Sequence, residues 1–69
     1  MTDYSRSEIE HTIDEWVLNE KYRRIMKRRL IDSITYERLA EEFEMSTSQI
    51  KRIVYNTEEK IFKHLPSDK

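Results

Sequence analysis

Residues 36–55 read YERLAEEFEMSTSQIKRIVY. Leu39, Ala40 and Phe43 recur at spacings of one, three and four, which places them on one face of a helix over 36–43. Glu44-Met45 then forms a turn. Ser46 with Gln49 three positions later is a capping box, a signal that satisfies orphan amides at a helix start. From there Ile50, Ile53, Val54, Thr57, Ile61 and Leu65 hold one apolar stripe, which Phe62 widens, until Pro66 stops the helix. The stretch therefore reads as two helices joined by a tight turn, the second of them spanning 46–64.

Working outward, Thr35 is the expected cap of the 36–43 helix. Asp32-Ser33 is the turn signal before it. A preceding helix over 20–31 carries Tyr22, Ile25, Met26 and Leu30 on its apolar face, with Asn19 as cap and Glu20 in its first turn. Lys21, Arg23, Arg24, Lys27, Arg28 and Arg29 cover much of the rest. A first helix over 8–18 follows from Ser7 and Glu10 as a capping box and from Ile9, Ile13, Trp16 and Val17 as one stripe. Trp16 reads as core, or as part of a dimer seam if this helix overhangs. Residues 1–5 and 66–69 are expected to fray.

The chain has no glycine and one proline, and 39% of it is charged, mostly with good helix formers. These features point to an all-α, four-helix domain. Sixty-nine residues suggest one domain over 1–69, which buries only about 60% of its unfolded surface. No cysteine is present, so disulfides and thiolate metal sites are excluded. No apolar run approaches the roughly 18 residues that span a membrane, and the start does not resemble a signal peptide. A cytoplasmic location with no membrane partner is the expectation.

The net charge of −1 conceals an asymmetry. Residues 1–20 hold six acids against Arg6, and residues 21–69 hold twelve bases against eight acids, so a leader at −5 precedes a body at +4. Charge divided in this way points to a nucleic-acid surface. Taken alone, the basic run Lys21–Arg29 reads as a solvated helix face paired to nearby acids. Beside the hairpin, phosphate contact becomes a role for some of its members. Glu41, Glu42 and Glu44 read as solvated acids or as a protein-binding face. His11 and His64 have no cysteine or i,i+4 histidine partner, so no metal site is expected. No catalytic group and no cofactor can be argued, and an enzyme is not the expectation.

The hairpin also fits the register of a helix-turn-helix. With Tyr36 first, Ala40 takes the fifth position, where two backbones approach closely and a small residue is needed. Leu39, Phe43, Met45, Ile50 and Ile53 take the usual apolar positions. Glu44 takes the ninth, normally glycine; a left-handed backbone there costs a side chain about 1 kcal/mol or more. Residues 19–65, through ITYERLAEEFEMSTSQIKRIVYNTEEKIFKHL, resemble region 4 of bacterial sigma factors and the short sigma-region-4-like regulators of phages and mobile elements. The elements that carry the resemblance are Thr35-Tyr36-Glu37, Ala40-Glu41-Glu42, Ser46 and Ile50-Lys51-Arg52. Residues 1–18 form an acidic leader and first helix outside it, and 66–69 a tail. Ser33 and Glu44 depart from the family at positions that favour glycine, and Thr47 at one where arginine is common.

The resemblance implies a DNA-binding transcription regulator whose 46–64 helix enters the major groove with its N-terminal residues on base edges. Ser46, Thr47, Ser48, Lys51, Arg52 and Tyr55 then face double-stranded DNA, with Gln49 on the neighbouring side. Arg52 is the candidate for reading a base and Lys51 for a phosphate or base. Arg38, Arg28 and Arg29 are placed to hold the backbone. The family's equivalent unit also touches RNA polymerase. A protein-interaction module contacting polymerase, a sigma factor or another regulator is therefore the alternative, and a homodimer is a further partner to consider.

Overall fold

The computed structural model of the protein describes residues 5–65; the fraying expected of 1–4 and 66–69, and the stop at Pro66, lie outside the described residues. Among the described residues there are four α-helices and no strand: α1 Arg6–Trp16, α2 Glu20–Leu30, α3 Tyr36–Phe43 and α4 Thr47–His64. Asn19, Thr35 and Ser46 cap α2, α3 and α4, each side-chain oxygen accepting from the backbone N–H three residues on. At α4 the box closes in both directions, because Gln49 Oε1 accepts the Ser46 N–H at 3.0 Å.

The first helix begins and ends about two residues earlier than its expected span of 8–18. Its capping box is Ser5 with Glu8, not Ser7 with Glu10. The Glu8 N–H donates to Ser5 Oγ at 3.1 Å and the Ser5 N–H to Glu8 Oε1 at 3.0 Å. Both serines stand three residues before a glutamate, so the local signal does not choose between them. Ser5, expected to fray, is thus the residue that starts α1.

α4 touches each of the other three helices, whereas α1 and α3 do not meet among the described residues. The core they enclose consists of Ile13, Val17, Ile25, Met26, Leu39, Ile50, Ile53, Val54, Ile61 and Leu65. Ile9, Leu30, Ala40, Phe43 and Met45 are half-buried against it. Each fully buried Ile or Leu contributes about 1.5–3 kcal/mol, so a core this small leaves little margin for polar error. Thr12 is buried as well, and its hydroxyl is satisfied by donating to the Glu8 carbonyl at 2.9 Å.

Three residues expected on apolar faces lie outward instead. Phe62 and Tyr22 are exposed, and Trp16 is 42% exposed. Trp16 sits in the last turn of α1, where its ring stacks flat on the His64 imidazole with 3.7 Å between centroids and 9° between planes. One face of the indole thus covers the end of α4 and the other meets solvent. Neither histidine stands alone: His11 Nε2 lies 3.3 Å from Glu15 on α1.

The turn between α3 and α4 has the hydrogen bonds of a Schellman motif. The Met45 N–H donates to the Ala40 carbonyl at 2.9 Å and the Glu44 N–H to that of Glu41 at 3.3 Å. This requires Glu44 to be left-handed, at φ 56° and ψ 49°. Ser33, after α2, is also left-handed at φ 58°. Glycine would hold either conformation without the clash of a Cβ against the following carbonyl. Glu44→Gly is therefore expected to raise the unfolding free energy by about 1 kcal/mol, somewhat offset by the freer unfolded chain. A higher urea midpoint at unchanged slope would show it.

Between α1 and α2, Lys27 Nζ lies 2.8 Å from Asp14 Oδ1. Its hydrogen bond holds the Asp14 carboxyl below the ordinary value of 3.8. A carboxyl whose folded pKa is depressed adds stability above its unfolded value and loses it as pH falls through the folded one. Solvent screens this half-exposed pair, so its contribution is small. Asp14→Asn should flatten the fall in urea midpoint as pH drops below about 4, with little change at neutral pH.

Candidate nucleic-acid interface

The surface nominated by the sequence lies on the first half of α4 and the adjoining ends of α2 and α3. Burial of Ile50, Ile53 and Val54 on the inner side of α4 turns Ser48, Arg52 and Tyr55 outward, since residues at i, i+4 and i+7 share a face. Ser46, Ser48, Gln49, Lys51, Arg52, Tyr55 and Arg38 are all exposed, while Thr47 is half-buried. The Ser46 and Gln49 acceptor oxygens are occupied by the capping box. The Ser46 hydroxyl hydrogen and the Gln49 amide hydrogens keep their donor capacity.

Three nominated residues from two helices meet at a residue the sequence did not single out, Tyr36. The Arg29 guanidinium lies over its ring at 4.2 Å from the centroid, and Lys51 Nζ stands at 5.8 Å. Tyr55 meets it edge-on, with ring centroids 6.1 Å apart and planes at 84°. Arg29 Nη1 also donates to the Ile34 carbonyl at 3.0 Å, closing the turn that ends at α3. The result is one patch in which α2 supplies Arg29, α3 supplies Tyr36, and α4 supplies Lys51 and Tyr55. The sequence gives Tyr36 the first place of the hairpin and a place in the Thr35-Tyr36-Glu37 element. No linear signal marks its other role, because its partners are 7, 15 and 19 positions away.

Arg28 is directed elsewhere. Its Nε and Nη2 donate to the Glu42 carboxylate at 3.1 Å each, and its Nη1 to Asp32 Oδ2 at 3.2 Å. The hydrogen bond with Glu42 holds its pKa above the ordinary arginine value. Arg6 reaches the same aspartate, 3.8 Å from Oδ1. Glu42, read from the sequence as a solvated acid, is thus one half of the α2–α3 link. Arg52 borders a depression of ≈ 150 Å³ with Tyr22, Met45, Gln49 and Ile53, on the side of α4 away from Tyr36.

Among the described residues, Arg29, Arg38, Lys51 and Arg52 have no carboxylate within ion-pair distance, whereas Lys27 and Arg28 do. The cations left for an anionic ligand therefore include those around the start of α4, as well as Lys21, Arg23, Arg24, Lys60 and Lys63, which are also outside every ion pair among the described residues. No group of three or more His, Asp and Glu side chains among the described residues is arranged to hold a metal ion. No described helix is long and apolar enough to cross a membrane. No protein-family model, curated protein or solved structure matches the chain.

The cluster at Tyr36 is held by its ring, since no hydrogen bond to its hydroxyl is present among the described residues. Exposed cation–π contacts contribute about 0.5–1 kcal/mol each. Tyr36→Leu should lower stability by about 1 kcal/mol, while Tyr36→Phe should match the wild type; urea unfolding of the three proteins measures the difference.

Proposed function

We propose that the protein is a small sequence-specific DNA-binding transcription regulator. It acts in the cytoplasm as a helix-turn-helix unit of the sigma-region-4-like kind found in phages and mobile elements. α3 and α4 form the hairpin, and α4 is the helix that enters the major groove. One observation carries the reading: the outward face at the start of α4 combines hydroxyls with Lys51 and Arg52, and among the described residues neither cation has a carboxylate within ion-pair distance.

In this reading Arg52 reaches a base edge, where a guanidinium favours guanine, and Ser48 and Tyr55 flank it. Lys51, Arg29 and Arg38 engage phosphates, which orient the protein without specifying sequence. Ser46, Thr47 and Gln49 lie at the helix start, where their remaining donors meet backbone or bases. Arg28 reaches phosphate only where DNA displaces one of its two carboxylates. Few cations face the groove, so intrinsic affinity is modest.

A second reading is favoured by a separate observation. Glu37, Glu41 and Glu44 are exposed on α3 and its turn and have no cation within ion-pair distance among the described residues. That surface suits a protein partner, with RNA polymerase, a sigma factor or another regulator the candidates.

Selection of bound genome fragments at physiological salt, followed by titration of variants, separates the two. Arg52→Ala should lose about 1–3 kcal/mol at particular base positions, and Lys51→Ala should weaken all sequences and reduce the salt slope by about 1. If both variants bind like the wild type, DNA recognition through α4 is wrong. Affinity that is equal for every sequence and falls steeply with salt, together with recovery of polymerase or a regulator from host lysate, would support the second reading.

A further inference from the structure

Arg29 and Lys51 are like charges from two helices brought to one aromatic ring. Both are placed by the Tyr36 centroid, at 4.2 Å and 5.8 Å. Guanidinium and ammonium are therefore no farther apart than about 10 Å, the screening length at moderate salt. Folding gathers them against their mutual repulsion, and the face of the ring offsets part of it. No carboxylate offsets the rest. Glu37 and Glu58, the acids nearest in sequence to Tyr36 and Tyr55, pair with neither cation among the described residues. An anion placed between the two charges would be attracted by both.

The geometry of Arg29 narrows the class of anion. Its Nη1 donates to the Ile34 carbonyl at 3.0 Å while its guanidinium carbon lies over Tyr36, so the group is fixed before any ligand arrives. Among the described residues no hydrogen bond uses its Nε or Nη2. That edge offers two parallel N–H groups, the fork that takes two oxygens of a carboxylate or a phosphate. Lys51 decides between them. A carboxylate would spend both oxygens on the fork, whereas a phosphate keeps a further oxygen for the ammonium and carries more charge to share.

We propose that Arg29 and Lys51 make a ready-built site for one phosphate group, with Tyr36 as the positioning residue that holds both cations on its ring. Tyr55, edge-on to that ring, supports it from α4. The site stands on this cluster alone. Only the assignment of its phosphate to a DNA backbone rests on the reading of α4 given above.

Inorganic phosphate titrated into the full chain at constant ionic strength should shift the Arg29 Nε and Tyr36 ring resonances saturably, and acetate should bind more weakly. Lys51→Ala shortens an exposed side chain that the core does not use. It should weaken phosphate binding by about tenfold, the scale of one hydrogen bond to a charged group. Tyr36→Leu should weaken it similarly, while Tyr36→Phe, which keeps the ring, should bind like the wild type. Shifts that never saturate in the wild type overturn the proposal, as does saturation that Lys51→Ala and Tyr36→Leu leave unchanged. The same resonances identify the source of the phosphate. Duplex DNA that moves them and competes with inorganic phosphate places a backbone phosphate in the site. Saturable phosphate binding beside DNA that binds elsewhere, or not at all, upholds the site for a free phosphate and refutes only its part in DNA recognition.

Discussion

Ile50, Ile53, Val54 and Ile61 lie on one side of α4, and their burial against three other helices fixes how that helix is rotated about its axis. Every functional consideration depends on that rotation. With the branched aliphatic side inward, Ser48, Arg52 and Tyr55 are outward by the helical repeat alone. Turning the helix by one residue would expose isoleucine and bury arginine, a penalty of several kcal/mol on each count. The outward polar face of α4 therefore needs no polar contacts of its own to hold it in place.

The turn that delivers α4 to this position is made without glycine. Glu44 and Ser33 adopt left-handed backbone at a local penalty of about 1–2 kcal/mol each, in a chain whose core holds ten buried apolar side chains among the described residues. What retains them is the hydrogen bonding around them: the Met45 and Glu44 amides at the first turn, and at the second the Ile34 amide on the Arg28 carbonyl and Arg29 on the Ile34 carbonyl. Arg29 thus joins two matters that look separate, closing a strained turn and completing the cluster at Tyr36.

Features written within four or five consecutive residues were legible from the sequence. The caps at Asn19, Thr35 and Ser46, the α3 span and the inner stripe of α4 all depend on neighbours one turn away. α1 shows where local reading stops: Ser5-x-x-Glu8 and Ser7-x-x-Glu10 are equivalent signals, and only packing on α2 and α4 selects the first. Trp16 and Phe62 fit an apolar stripe by spacing, yet each sits near a helix end and stays exposed, Trp16 covered on one face only by His64. At the candidate site, the individual α4 residues could be named from register. The Arg29–Tyr36–Lys51–Tyr55 cluster and the Arg28–Glu42 link could not, since both join different helices.

The stack of Trp16 on His64 has a consequence for how the molecule can be observed. The chain contains a single tryptophan, and its ring lies flat on an imidazole at the joint between the first and last helices. Imidazole in van der Waals contact quenches indole emission, so the fluorescence of the native protein is sensitive to the contact between α1 and α4. Separation of α1 from α4 would brighten it. The fold therefore carries an intrinsic optical probe at the joint between its first and last helices.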